Sequence, residues 1–424
     1  MDTIYALSSG SPPAAIGIVR ISGNAAGEAL RNLSGSLPPP RIATLRTLRS
    51  SIGEVLDTAL ILWFPRPATA TGEDLAELHC HGGRAVIAAV ERELAALPGL
   101  RRAEPGEFTR RAFINGRMDL SETEGLADLL AAETELQRRS AQALSQGALS
   151  QQVDEWRERL LILSARVESV LDFGDEDDVS ELPTSFGSEV EALRSEIEHW
   201  LARPRAEKLR QGVRVVLTGP PNSGKSTLFN ALLEEAAAIT SAEAGTTRDA
   251  IERSVSLGGV PIVLVDTAGL RGEGAGEIES IGIDRARDQI GRADVVLWLG
   301  EEGAGPPGSI EIETKTDIGE NDRKVAPDVR VSALTSQGLD EVRELIMRVA
   351  SSVLPKPGDV ALNERQAGLL RDGASGLSNV SEHMDPLIVG EALRECRVAF
   401  DRLTGKSSTE DMLDALFGRF CIGK

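Results

Sequence analysis

The sequence predicts a multidomain protein of α/β plus α class. An N-terminal α+β domain spans 1–118, a helical domain comes in two parts, 119–210 and 351–424, and an α/β domain at 211–350 is inserted between those parts. Three observations predict this. A complete phosphate-binding loop, Gly219-Pro220-Pro221-Asn222-Ser223-Gly224-Lys225-Ser226, follows the strand-like run Val213 to Thr218 and precedes the helix-like run Thr227 to Leu233. That is the setting such a loop requires. Apolar residues spaced by three and four flank this region on both sides: Trp156, Leu160, Leu163, Val167, Val170 and Val190, Leu193, Ile197, Trp200 before it, then Leu393, Cys396, Phe400, Leu403 and Leu413, Leu416, Phe417, Phe420 after it. Proline punctuation at Arg203-Pro204-Arg205 and Pro355-Lys356-Pro357-Gly358 marks the two joins, so one interrupted helical domain is the economical reading. The first 118 residues differ, with strand-like Ile16 to Ile21 and Ala59 to Phe64 and turns at Gly82-Gly83 and Pro105-Gly106, a pattern that predicts a separate α+β domain.

A chain of 424 residues has room for two to four domains with cores of their own. Its three cysteines, Cys80, Cys396 and Cys421, lie far apart, which excludes a disulfide framework and a CxxC metal site and suits a reducing cytoplasm. No apolar run approaches a membrane span, and Met1 to Ser11 lacks the basic-then-apolar pattern of a secretory signal, so a cytoplasmic protein without a membrane partner is expected. The formal charge of −20 is unfavourable for holding a nucleic acid unaided. Residues 1–118 carry 13 Arg and no Lys against 11 carboxylates, a net of +2, which leaves −22 for the remainder. Contact with RNA is therefore expected near the N-terminal part or on a partner. The acidic run Asp175 to Asp178 reads as a solvated loop rather than a metal site.

The loop's glycines let backbone N–H groups close around a polyphosphate at a helix N-terminus, while Lys225 supplies a point charge and Ser226 a magnesium ligand. Gly245-Thr246-Thr247-Arg248-Asp249 offers a hydroxyl to close over magnesium and the γ-phosphate. Asp266-Thr267-Ala268-Gly269 ends the apolar strand Pro261 to Val265 and places a carboxylate near the metal. Thr314-Lys315-Thr316-Asp317 sits where a guanine reader belongs, because a carboxylate accepts both the N1 and N2 protons of guanine and adenine offers no such pair. Asp317 thus argues for GTP over ATP, and Ser332-Ala333 is a candidate to complete the base pocket through a backbone N–H. Leu270 stands where a Ras-like GTPase carries a water-orienting glutamine, so catalytic help must come from elsewhere. Asn222 either places an amide oxygen beside the phosphates, where a monovalent cation could replace an arginine finger, or stabilises the turn.

Together with DTIYAL (2–7), GIVRISG (17–23), TGEDLAELHCHGG (71–83), EPGEFTRRAFINGRMDL (104–120), DFGDED (172–177) and FCIGK (420–424), these motifs closely resemble the tRNA-modification GTPase MnmE (TrmE) family over essentially the full length. The resemblance implies an N-terminal folate-binding and dimerisation domain, a helical domain and an inserted Ras-like P-loop GTPase domain. It implies a homodimer, a bound 5-formyl- or methylene-tetrahydrofolate, and a complex with the FAD protein MnmG. That complex attaches aminomethyl or carboxymethylaminomethyl groups to carbon 5 of the wobble uridine of certain tRNAs.

Carried over by residue, the resemblance puts folate contacts on Arg20, Glu77, Arg117 and Lys424. GTP falls on Asn222, Ser223, Gly224, Lys225, Ser226 and Thr227, on Ser241, Ala242, Glu243, Ala244, Gly245, Thr246 and Thr247, on Asp266, Thr267, Ala268 and Gly269, and on Thr314, Lys315 and Asp317. Magnesium falls on Ser226 and Thr247, and potassium on Asn222, Ser241, Glu243 and Thr246. The family's catalytic acid aligns with Glu279, while Cys421 is placed beside the folate chemistry as a nucleophile or a structural contact. FCIGK taken alone also admits a frayed tail and fits a prenylation box poorly. His79 and His81 lie two apart without a third nearby ligand.

The chain departs from the family at Thr314, usually Asn, a change expected to reduce nucleotide affinity and leave guanine preference intact. Ala70 replaces an aromatic. Only Gly300 to Ser309 separate the strand Val295 to Leu299 from Ile310-Glu311-Ile312-Glu313, too few for the usual helical crossover. The alternation in the latter predicts a strand with one exposed face. A ribosome-assembly GTPase, or a folate enzyme with a regulatory G domain, are the competing functions. The first leaves the N-terminal domain and FCIGK unexplained.

Overall fold

A computed structural model describes residues 2–173, 181–238, 251–267, 287–318, 324–378, 380–381, 383–407 and 410–424. The chain divides into two compact units, one of 1–127 with 400–424 and one of 128–399.

The first unit is built on a six-stranded sheet of order β3-β4-β5-β2-β1-β6: β1 Thr3–Leu7, β2 Ile16–Ser22, β3 Thr44–Arg49, β4 Val55–Phe64, β5 Leu75–His81 and β6 Leu100–Arg102. Neighbouring strands are antiparallel except β1 and β6. Alternation decides the faces. Val19, Ile21, Ile61, Ala76 and Leu78 turn into a core filled by Ala26, Leu30 and Leu33 of α1 (Ala26–Ser34) and Ile87, Val90 and Leu94 of α2 (Arg84–Ala96). Cys80 belongs to that core, and burial pushes its thiol up to about 12, so it is inert. The intervening residues of β2 and β5, Arg20, Glu77 and His79, take the opposite face.

The unit continues through α3 (Glu107–Ile114) into α4 (Leu120–Ala131). Its C-terminal piece returns as α13 (Glu410–Phe417), where Leu413, Phe417 and Phe420 cluster with Leu120 and Phe113. Arg110 of α3 pairs with Glu410 and, at 2.9 Å, with Asp414. The final residues do not fray. Ile422 bridges Pro105, the Phe108 N–H donates to the Lys424 carbonyl at 3.1 Å, and a β-carbon at Gly423 (φ +92°) would stand 2.3 Å from the Leu7 carbonyl oxygen.

The second unit contains α5 (Glu135–Ser145), α6 (Ala148–Phe173), α7 (Phe186–Leu201) and α8 (Ala206–Gln211). A seven-stranded sheet of order β13-β12-β11-β7-β10-β9-β8 follows: β7 Val213–Thr218, β8 Ala237–Ala238, β9 Ile251–Leu257, β10 Val260–Asp266, β11 Val295–Trp298, β12 Ile310–Glu313 and β13 Val329–Arg330. Five strands run parallel, and β9 and β8 extend the sheet antiparallel. Helix α9 (Lys225–Glu235) follows β7, α10 (Leu339–Val353) follows β13, and α11 (Glu364–Leu377) and α12 (Pro386–Thr404) complete the chain order before α13.

The helical spacing seen in the sequence marks buried side chains: Trp156, Leu160, Leu163 and Val167 on α6, and Val190, Leu193 and Ile197 on α7. Trp156 and Trp200 meet edge to face at 5.8 Å. The core of the nucleotide sheet extends past 211–350, taking in Leu136, Ala206, Leu209, Leu354 and Ala361. Leu136 enters it because a capping box of Thr134 and Gln137 starts α5 there, and its N–H donates to the Gly259 carbonyl at 3.0 Å.

Residues 299–309 are described, and they connect β11 to β12 without a helix, as the short spacing predicts. The exposed face expected for β12 is absent. Glu313 is buried and paired with Arg330 at 2.8 Å, and Glu311 is paired with the buried Lys324. Carboxylates leave water only with such partners, and alternation alone does not reveal them. Among the described residues, no helix is long and apolar enough to cross a membrane.

Candidate functional site

The phosphate loop lies between β7 and α9. Asn222 adopts φ +61° and Gly224 φ +90°, and asparagine is among the few non-glycine residues that tolerate this region. Asn222 therefore does shape the turn. Buried Lys225 donates to the carbonyls of Pro220 (2.7 Å) and Gly219 (3.2 Å), which holds the ammonium at the mouth of the loop. The Ser226 hydroxyl donates to Asp266 Oδ2 at 2.7 Å. The register of β7 and β10, Leu217 opposite Asp266, brings the two together, and Thr267 donates to the Leu217 carbonyl at 2.9 Å.

The segment Thr314 to Asp317, expected to read the base, closes on the same loop. Thr314 Oγ1 donates to the Ser223 carbonyl at 2.6 Å and Lys315 Nζ to the Asn222 carbonyl at 2.6 Å. The threonine thus links this segment to the phosphate loop. Asp317 accepts the Ser332 hydroxyl at 2.6 Å, a bond that fixes its carboxylate. The Ser332 N–H is spent on the Gln337 carbonyl at 2.9 Å, leaving that of Ala333 as the pair's candidate donor to a base. Sequence reasoning missed the Ser332 side-chain bond, because Ser-Ala carries no signal of its own. Ser241 to Thr247, Ala268, Gly269, Leu270 and Glu279 lie outside the described residues.

In the first unit, Arg20 and Glu77 are directly opposite on β2 and β5 and pair at 2.9 Å. Arg20 also lies over the Phe108 ring, 5.9 Å from its centroid. Glu77 Oε1 takes Arg20 and Oε2 faces His79 Nε2 at 3.2 Å, so the carboxylate is oriented and keeps lone pairs for a ligand. His81 turns to Asp57 instead, with Nδ1 at 2.7 Å. Burial opposes ionisation of Asp57, but hydrogen bonds from the His81 ring and N–H and from the Thr58 N–H outweigh it and hold the carboxyl below its ordinary value.

Arg117 Nε donates to the Thr69 carbonyl at 3.1 Å. Asn115, two residues before it in the chain, donates to the Thr71 carbonyl (2.7 Å), and Thr71 bonds Ser22 (2.7 Å), two residues along β2 from Arg20. The Lys424 backbone is held by Phe108, the residue beneath Arg20, and Cys421 is exposed. The structure thus brings Arg20, with Glu77 paired to it, and the backbone of Lys424 to Phe108. It ties the segment of Arg117 to β2 through Ser22, Thr71 and Asn115, which the sequence reading did not single out although all three lie in quoted segments.

Two family models match the chain. The family model described as GTP-binding protein TrmE N-terminus matches residues 3–117, and that described as MnmE helical domain matches 120–421. The tRNA modification GTPase MnmE of Erythrobacter litoralis is 60% identical over the whole of both chains, and that of Novosphingobium aromaticivorans 58% identical over the whole of both. Among solved structures, the G domain of the T. maritima FeoB iron transporter matches at 27% identity, covering 32% of this chain and 98% of its own with a TM-score of 0.23. With family models covering nearly all of its length and relatives of such identity, the chain belongs to the tRNA-modification GTPase MnmE (TrmE) family.

Proposed function

We propose that this chain hydrolyses GTP as a cytoplasmic homodimer and acts with an MnmG-like FAD protein, as a heterotetramer, to install aminomethyl or carboxymethylaminomethyl groups at carbon 5 of the wobble uridine, position 34, of tRNA. A folate supplies the one-carbon unit. The division into a folate-binding part at 1–118, a helical part at 119–210 with 351–424, and a GTPase part at 211–350 belongs to this reading. What carries it is that one chain holds both a phosphate loop closed by Thr314 and Lys315 beside an oriented Asp317, and an oriented Arg20–Glu77 pair beside an ordered FCIGK end. Nucleoside mass spectrometry of tRNA from a deletion strain, with and without the restored gene, tests it. Unmodified wobble uridine that the gene does not restore overturns the reading.

Magnesium fits Ser226 and Asp266, whose hard oxygens converge at 2.7 Å, with Thr247 as the further ligand. When bound, it neutralises charge on the phosphates. Asn222, Ser241, Glu243 and Thr246 would seat potassium, and Glu279 would orient water in place of the glutamine that Leu270 lacks. Glu279→Ala should lower turnover on the order of tenfold or more, about 1.4 kcal/mol of barrier, with GTP affinity nearly unchanged. Hydrolysis rates in equal ionic strengths of potassium and sodium, for wild type and variant, check this. Four equal rates would remove both roles.

For the folate, Glu77 accepts from the amidine-like edge of a pterin, while Arg20, Arg117 and Lys424 suit a glutamate tail. Glu77→Gln keeps the shape but loses charge-assisted acceptance, which is worth about 1.5–3 kcal/mol, so affinity for 5-formyl-tetrahydrofolate should fall roughly tenfold or more. Calorimetry on the full chain reads it, and unchanged affinity removes Glu77 from the site. Cys421→Ser separates the two roles open to the thiol, because a nucleophile's loss ends modification and a contact's loss leaves it.

A further inference from the structure

The connection that replaces a helix between β11 and β12 is tightly held. Trp298, the last residue of β11, folds its indole over it. Nε1 donates to the Glu301 carbonyl at 2.8 Å, and a β-carbon would stand 2.3 Å from the ring at Gly300 and 2.7 Å from it at Gly305. At Gly300 the indole occupies the space, and at Gly305 the indole and Ser309 Oγ, 2.6 Å from such a β-carbon, occupy it together. Across the same backbone lies the phosphate loop. A β-carbon on Gly300 would stand 3.0 Å from Pro220 Cδ, and one on Gly219 would stand 3.0 Å from the Leu299 carbonyl carbon and 3.2 Å from the Gly300 nitrogen. Strand pairing fixes the alignment, with Trp298 opposite Thr218 and the Leu299 N–H on the Thr218 carbonyl at 2.9 Å. Buried Lys324 holds the Trp298 carbonyl at 3.1 Å.

We propose that Trp298 is a positioning residue for nucleotide binding: its indole presses Leu299-Gly300 against Gly219-Pro220 and so sets the first turn of the phosphate loop. The carbonyls of Gly219 and Pro220 both accept from the Lys225 ammonium, so a displaced turn moves the cation expected to meet the phosphates. Trp298 acts on the loop through the backbone of Leu299-Gly300. One aromatic side chain thereby does the packing that a crossover helix does elsewhere. The inference rests on the loop Gly219 to Ser226 being the nucleotide site.

The test is titration of a fluorescent GDP analogue against the full chain in three forms: wild type, Trp298→Phe and Trp298→Ala. Thermal melting establishes folding. Trp298→Ala should raise the GDP dissociation constant about tenfold while turnover at saturating GTP changes less than about threefold, and Trp298→Phe should stay within about threefold of wild type. The chain's four tryptophans, labelled as 5-fluorotryptophan, give fluorine resonances of which Trp298→Phe identifies one, and that one should shift when GDP is added. Gly300→Ala, which drives a methyl group into both the indole and Pro220, should weaken GDP in the same direction. Wild type that does not bind GDP overturns the phosphate-loop reading and this inference together. Wild-type binding with unchanged affinity in Trp298→Ala overturns the inference alone. Should that variant not fold, a Trp298 resonance indifferent to GDP with unchanged affinity in Gly300→Ala does the same.

Discussion

Replacing Asp317 with asparagine will weaken GTP binding about 30- to 150-fold, the equivalent of roughly 2–3 kcal/mol for two hydrogen bonds to a charged acceptor, and will admit xanthine nucleotides. The carboxylate is the group on this segment able to accept both guanine edge protons, and the Ser332 hydroxyl fixes it at 2.6 Å. An amide of the same shape keeps one acceptor and turns a donor toward the base, where xanthine offers a carbonyl at C2. The fold around it should hold. The amide oxygen of the variant can still take the Ser332 hydroxyl, and Thr314 and Lys315 grip the phosphate loop through bonds to Ser223 and Asn222 that do not involve position 317. The change should therefore fall on base choice rather than phosphate binding. Displacement of a fluorescent nucleotide by GTP and by xanthosine triphosphate measures it, and equal affinities in wild type and variant remove Asp317 from the base pocket.

The parts of this site that a reader of the sequence can find are those with local signatures. Gly219 to Ser226 announces itself because its chemistry, its strand and its helix are contiguous. The same holds for Trp156 to Val167 and Val190 to Ile197, where a spacing of three and four is the imprint of a buried helix face. Long-range pairing has no such imprint. Thr314 looks like a loss in sequence, yet its hydroxyl reaches a carbonyl 91 residues away. Glu313 looks like a solvated strand position and is buried because Arg330, on the neighbouring strand, neutralises it. Leu136 lies outside the nucleotide domain by pattern and belongs to its core by packing. The missing crossover helix was legible from a residue count, whereas the device that replaces it, Trp298 against two glycines, depends on a ring position that no spacing rule gives.

Arg111→Ala should cost about 2–3 kcal/mol, because it removes a buried cation and leaves the half-buried Glu73 and Glu107 short of charged hydrogen bonds. This arginine, in EPGEFTRRAF, is 5% exposed and pairs with Glu73, Asp2 and Glu107, each at 3.0 Å. Its partners lie 109 and 38 residues away or one helical turn back, so no local pattern singles it out. Arg101 pairs with Asp2 and, at 2.6 Å, with Glu107, which leaves Glu73 dependent on Arg111 in this cluster. Glu73 in turn accepts the Ser22 hydroxyl at 2.9 Å, so the loss should spread to the strand carrying Arg20 and weaken the proposed folate binding too.

Acid distinguishes this account from simple loss of packing. In the wild type, Asp2 is held below its ordinary 3.8, chiefly by the Arg101 hydrogen bond. Burial pushes Glu107 up, but hydrogen bonds from Arg101, the Glu104 N–H and Arg111 outweigh it and keep it below 4.5. A carboxyl whose value is depressed by folding contributes stability in full above its unfolded value and loses it as pH falls through the folded one, so the wild type should weaken from about pH 4.5 downward. The variant sets three carboxylates against one arginine, and protonation relieves it. The gap between the two should therefore narrow toward pH 4. Calorimetric melts of the full chain at pH 7, 5 and 4 measure both curves, and a gap that stays constant or widens in acid means that Arg111 serves as packing and not as a counter-charge.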